Sequence, residues 1–178
     1  MRRILAIVGA VVVVAVAAIL IYAATRPDSF RVQRSATMNA PAEKIFPYLE
    51  GLKRWTEWSP YEGRDPQMKR AYSGADSGKG AVYEWDGNDN VGKGRMEIVD
   101  SKPPSKVVIK LDFLKPFEGH NTAELTVEPK GGQTIVTWAM YGPSTFMTKL
   151  IGTFMDMDDM IGRDFAAGLA KLKTVVEK

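Results

Sequence analysis

Cysteine is missing from this 178-residue chain, and histidine occurs once. Without a thiol the protein has no disulfide, no thiolate nucleophile and no cysteine-ligated zinc. That absence does not fix the compartment, because an extracytoplasmic domain of this size can fold without disulfides. The single imidazole, His120, opens an alternating stretch with Thr122 and Glu124 on the polar face, and it has no nucleophile with which to build a triad. Also missing is any Lys/Arg run in the folded region. Of the 24 basic residues, setting aside Arg2, Arg3 and Arg26 leaves 21 against 21 acidic residues over positions 27–178. A nucleic-acid surface needs a concentrated positive field, so nucleic acid is set aside as a partner.

What the chain does have is one long apolar run. Residues 4–24, ILAIVGAVVVVAVAAILIYAA, contain no charge. As a helix rising about 1.5 Å per residue they span the roughly 30 Å of a bilayer's hydrocarbon core. Tyr22 interrupts the small-x-small pattern of a cleavage site before Ala24, which favours a retained anchor over a removed signal peptide. Arg2 and Arg3 ahead of the span place the N-terminus in the cytoplasm, whereas Arg26, Arg31 and Arg34 argue the other way. A short basic head before an apolar span resembles an uncleaved signal-anchor, so we expect a single-pass membrane protein with its domain on the extracytoplasmic side. The expected organisation is an anchor over 1–26, a linker over 27–31 and one domain over 32–178.

Beyond the linker, FRVQRSATM alternates as a strand. NAPAEKIFPYLEGL offers Asn39 as an N-cap, Pro41 near the first turn and Ile45, Leu49 and Leu52 at helical spacing. Pro47 predicts two short helical pieces rather than one rod. From residue 68 the period becomes two, with loops rich in Gly, Pro, Asn and Asp between successive runs, which predicts an antiparallel meander. Alternation puts Tyr83, Trp85, Met96, Ile98, Ile109, Leu111 and Phe113 on one face and Glu84, Arg95, Glu97, Lys110 and Asp112 on the other. From Ser144 to Lys178 apolar residues recur every three or four positions, predicting one long amphipathic helix of roughly thirty residues. Strands segregated from helices indicate the α+β class.

This order of elements, with APAEKIFPYLEGLKRWTEWSPY after the first strand and YSGADSGKGAVYEWDGN before the meander, resembles the polyketide cyclase/dehydrase and lipid-transport group of the START-like (SRPBCC) superfamily, which includes the birch-pollen-allergen type proteins. The stretch carrying Trp55, Trp58, Ser59, Pro60 and Tyr61 is the most specific part of the match, and the likeness covers about residues 30–176. It implies a helix-grip fold, a curved antiparallel sheet around a long C-terminal helix with an apolar cavity between them. A reaction does not transfer with such a fold.

The expected site follows from the aromatic and methionine residues. Trp55, Trp58 and Tyr61 are read as capping one end of the cavity, and Tyr83, Trp85, Met96, Phe113, Trp138 and Met140 as lining it from the sheet. Met147 and Phe154 on the final helix are read as the opposite wall. For each of these residues an ordinary core position is the plain alternative. Wound at 100° per residue from Phe154, Asp158 falls within the apolar stripe and is expected to face the sheet, needing a partner or a raised pKa there. Asp156 and Asp159 point away, Asp159 toward Arg163 one turn on, and no metal site is expected. The GKG runs at 78–80 and 92–94 lead into strands, so no helix N-terminus meets a phosphate there.

These readings converge on a membrane-tethered binding protein for a small hydrophobic ligand or lipid, with no cofactor and no catalytic residue assigned. A cyclase or dehydratase acting on an aromatic or polyketide-like substrate is the alternative, with Asp158 and Tyr83 as its internal candidates. A protein-interaction module with a filled core is the third.

Overall fold

Two periodicities account for most of the structure, a computed structural model that describes residues 1–178. The apolar run forms helix α1 (Arg2–Thr25), stopped by the extended backbone of Arg26 ahead of Pro27. Strand β1 (Ser29–Met38) follows, then helix α2 (Ala42–Glu50) and a 3-10 turn over Leu52–Glu57. The period-two region supplies β2 (Lys69–Gly74), β3 (Ala81–Asp86), β4 (Lys93–Lys102), β5 (Lys106–Lys115), β6 (Gly119–Lys130) and β7 (Gln133–Pro143). Helices α3 (Phe146–Phe154) and α4 (Met157–Val176) complete the chain.

The strands form one seven-stranded curved antiparallel sheet in the order β1-β7-β6-β5-β4-β3-β2. Consecutive strands from β2 to β7 are neighbours, so short turns suffice; the sequence Lys130-Gly131-Gly132-Gln133 closes the β6–β7 hairpin with both glycines at positive φ. That is the backbone a two-residue hairpin matching the sheet's twist requires. The class is α+β, as expected.

The chain falls into two units, residues 31–142 with 158–178, and residues 1–30 with 143–157. In the first, α4 lies on the inner face of the sheet. Ile98, Val107, Ile109, Leu125, Val127 and Val136 from the strands bury against Phe165, Leu169, Leu172 and Val176 from α4 and Ile45, Phe46 and Leu49 from α2. Polar ties fix the helix along its length. Arg34 grips Asp158 at its start, Lys173 Nζ donates to the Thr37 carbonyl at 2.8 Å, and Glu177 accepts from the Asn39 amide. In the second unit α3 packs on α1.

Three sequence expectations change. The helix beginning at Ala42 runs through Pro47 and ends at Gly51, where a Cβ would lie 2.8 Å from the Pro47 carbonyl oxygen. A proline there forfeits one backbone hydrogen bond without breaking so short a helix, so the pair of helical pieces is divided by the glycine. Asn39 does not cap this helix; Pro41, in an extended conformation, occupies the N-cap. The final segment is two helices, because Met155 is extended (φ −129°, ψ 132°) and α4 restarts at Met157 with Asp158 and Asp159 in its first turn. Carboxylates at a helix start complement the exposed amides and the positive end of the dipole, so the Asp156–Asp159 run begins a helix rather than continuing one.

Gly168 lets α4 approach closely, since a Cβ there would stand 2.9 Å from both Pro60 Cδ and Trp138 Cζ3, whereas nothing lies within 4 Å of one at Gly63. Gly168→Val is expected to destabilise the domain by about 1–3 kcal/mol through overpacking, and Gly63→Val to change it far less, read from urea midpoints of the detergent-solubilised chain.

Candidate ligand site

The aromatic-rich segment after α2 is explained first by hydrogen bonding. The last carbonyls of a helix have no partner within it. Trp55 Nε1 donates to the Leu49 carbonyl at 3.1 Å and Trp58 Nε1 to the Tyr48 carbonyl at 3.0 Å, so both indoles satisfy the last turn of α2. Their rings lie 4.8 Å apart and pack against Trp138 on β7 at 5.7 and 5.3 Å between centroids. Trp138 in turn stacks on Phe165 of α4 at 4.2 Å and 8°. Trp58 has no exposed surface. This residue is packed on every side at the closed end of the inner face, the core position that was its plain alternative. Within this cluster Trp138 Nε1 is the one buried side-chain polar atom without a hydrogen-bond partner.

The opposite end of the inner face is less covered. Register places Tyr72, Tyr83, Met96, Leu111 and Asn121 in one cross-strand row and Trp85, Gly94, Phe113 and Gly119 in the next. Directly opposed residues share a face. Tyr72 stacks on Tyr83 at 4.9 Å, Tyr83 lies 6.0 Å from Trp85, and Trp85 meets Phe113 edge-on at 6.0 Å. Gly94 is needed here, because a Cβ would fall 2.3 Å from the Trp85 ring. Tyr83, Trp85 and Met96 are buried, while Tyr72, Leu111, Phe113 and Asn121 are partly exposed. The next row inward, Ile98, Ile109, Ala123 and Met140, is buried.

A polar group stands at this end. Tyr83 donates its hydroxyl to Glu62 Oε1 at 2.8 Å, and Arg70 Nε donates to Glu62 Oε2 at 2.7 Å. The Glu62 side chain is 8% exposed. Burial first, then the hydrogen bond to Glu62 and its charge, push the Tyr83 phenol well above its usual range, so it is a proton donor and never a phenolate near neutrality. Tyr61 behaves likewise through burial and the Asp164 carboxylate, which it shares with Arg64, tying this loop to α4. Glu62, Arg70 and Asn121 had no place in the sequence reading. The signal for Asn121 was present, since the alternation that turns His120 and Thr122 outward turns it inward; nothing marked Glu62 beyond its place beside Tyr61.

Three expected site residues lie elsewhere. Asp158 finds its partner on the sheet's edge strand but stays outside the buried inner rows: its side chain is 59% exposed and takes a fork of hydrogen bonds from Arg34 of β1 at 2.9 and 3.2 Å, which holds its carboxyl below the usual range. Met147 and Phe154 sit on α3 with exposed side chains. The physical reason is common to all three. The helical phase was carried from Phe154 across residues 155 and 156, which belong to neither helix and of which Met155 is extended, so angles counted through that break do not describe α4. Asp159 does pair with Arg163.

On the outer face, His120 Nδ1 lies 2.7 Å from Asp112 Oδ1, with Lys110 Nζ 3.1 Å from the other oxygen. The hydrogen bond to Asp112 raises the imidazole above its ordinary value. Burial alone would push the Asp112 carboxyl up, but His120 and Lys110 outweigh it and hold it down.

Two measurements check these networks. Because the folded imidazole pKa is raised, its stabilising contribution is complete below about pH 6.5 and fades as pH rises through the elevated midpoint; the single histidine signal in NMR should titrate late, and Asp112→Asn should return it toward the ordinary value. In a denaturation cycle, Glu62→Gln is expected to cost about 1–3 kcal/mol and Tyr83→Phe about 1, with the double variant losing less than their sum because both act on one network.

The family model for polyketide cyclase / dehydrase and lipid transport matches residues 29–177. No curated protein matches the chain in sequence. Among solved structures the chain is similar to a Thermobifida fusca protein (TM-score 0.62, 17% identity, 82% of this chain and 92% of that one). It is also similar to protein CV1439 of Chromobacterium violaceum (0.58, 14%, 86% and 99%) and to Ms6760 of Mycobacterium smegmatis (0.57, 14%, 82% and 90%). At these identities the likeness is one of fold. With a family match running from β1 to the end of α4 and a curved sheet gripping that helix, the chain belongs to the polyketide cyclase/dehydrase and lipid-transport family of the START-like superfamily.

Proposed function

We propose that the protein is a membrane-tethered binding protein that takes up a small hydrophobic or lipidic ligand against the inner face of its sheet. The observation that carries this reading is uneven closure. Inner rows beneath α4 are buried, whereas the Leu111–Phe113–Asn121 end keeps apolar and aromatic surface partly in water. Covering that surface would remove it from solvent at roughly 25 cal/mol per Å². Asn121 and the Tyr83–Glu62 pair supply few polar groups amid many apolar ones, the usual make-up of a small-molecule site. Residues 2–25 form a helix long and apolar enough to cross a membrane. We read it as a retained single-pass anchor with the domain outside the cytoplasm, on the strength of Arg2 and Arg3 before it.

A second reading has one specific support. Cyclisation or dehydration needs an internal acid or base. With Asp158 exposed and paired to Arg34, Tyr83 and Glu62 are the pair at the inner face that offers one.

Native mass spectrometry of the full chain in mild detergent should reveal bound mass. Leu111→Asp or Phe113→Asp should weaken binding of the apolar dye 1-anilinonaphthalene-8-sulfonate by about tenfold or more, the effect of losing about 1.5–3 kcal/mol of burial, and Asp158→Asn should leave it unchanged. Equal dye affinity in all variants, with no bound mass, would favour the filled-core interaction module instead. Turnover lost in Glu62→Gln with dye affinity kept would favour the enzyme.

A further inference from the structure

Helix α3 has no counterpart in the binding role just described, and its surface is unusual for a helix in water. Phe146, Met147, Phe154 and Met155 are 48%, 51%, 69% and 51% exposed. We propose that α3 is an interfacial helix whose apolar side enters the bilayer at headgroup depth, beside the point where α1 leaves the hydrocarbon. This rests on the reading of α1 as a membrane anchor and is independent of the ligand.

The geometry of this unit selects lipid as the occupant. Along α1 the apolar side chains stand exposed and Ala23, near its C-terminal end, is the buried residue, and α3 packs against this helix. Polar bonds lock the two together just beyond the apolar run. Arg26 donates to the Gly152 carbonyl in the last turn of α3, Lys149 pairs with Asp28, and the Ser144 amide donates to the Asp28 carbonyl at 2.8 Å. Arg26 and Asp28 are the first charges after α1's apolar stretch, so they mark the headgroup level of a spanning helix. An element bolted to that level has its apolar residues beside the acyl boundary. The sole charge on α3, Lys149, is turned inward to Asp28 with a side chain 10% exposed. Its outward surface therefore carries no charge with which to select a protein partner, and membrane entry needs no anionic lipid.

Because the chain has no cysteine, single labels are clean. Met147→Cys and Phe154→Cys, each carrying a nitrobenzoxadiazole dye, would be reconstituted as the full chain into phosphatidylcholine vesicles with either shallow or deep nitroxide lipids. Val13→Cys reports on α1, and Asp76→Cys, whose side chain is 97% exposed, is the aqueous control. The expected result is loss of about half the emission at 147 and 154 with shallow nitroxides, strong quenching at 13 with deep ones, and none at 76. Quenching at 13 with 147 and 154 open to aqueous iodide would overturn the interfacial helix and leave the anchor standing. Protection at 147 and 154 from both lipid nitroxide and iodide would mean that a second copy covers the face, which also overturns it. No quenching at 13 would remove the anchor and the inference together.

Discussion

The stack of Trp138 on Phe165 is the contact on which the arrangement turns. It joins β7 to α4 face to face at 4.2 Å, and the two indoles that cap α2 close around it. Aromatic pairs in such geometry contribute about 0.5–1.5 kcal/mol beyond their burial, but their larger effect is positional. With Gly168 beside the same ring, α4 is held tight against one end of the sheet, and the rows under it close completely. Farther along the sheet the partly exposed Leu111, Phe113 and Asn121 mark where that closure ends. The proposed uptake of an oily molecule rests on this contrast between a closed end and one that keeps apolar surface partly in water.

The polar groups divide by face. Outside, charges alternate across strands as Glu84, Arg95, Asp112 and His120, a ladder on the face away from the inner rows in which Asp112 is buried between its partners. Inside, polar side chains are few and mostly committed. Glu62 is occupied by Tyr83 and Arg70, and Tyr61 by Asp164, so these groups shape and stiffen the open end. Asn121 is the inner-face group at that end suited to meet a ligand's polar atoms.

Much of the fold was legible from the residues. Alternation in Tyr83–Trp85, Met96–Ile98 and Ile109–Phe113 gave the correct inner face, because a strand's side-chain period is two wherever the backbone stays extended. The apolar run gave α1. What the sequence concealed were interruptions of phase. A two-residue break after Phe154 is short enough for apolar spacing to look continuous across it, and it misdirected Asp158, Met147 and Phe154 together; the cluster of aspartates was the signal of a new helix start. Long-range partners were equally hidden. That Trp55 and Trp58 bond to carbonyls six and ten residues back, and that Glu62 meets Tyr83 and Arg70, depends on how the loop folds over β2 and β3, which no periodicity encodes.

The central claim is that the inner face binds at its open end and not beneath α4. Amide, indole and methyl chemical shifts of the detergent-solubilised chain, followed as a long-chain fatty acid is added, test this most directly. The account predicts saturable shifts at the Leu111 methyls and the Asn121 side-chain amide, while the Trp138 indole proton, Val127 and Val176 stay still. Shifts confined to α1 and α3, or none at all as the fatty acid accumulates, would contradict it.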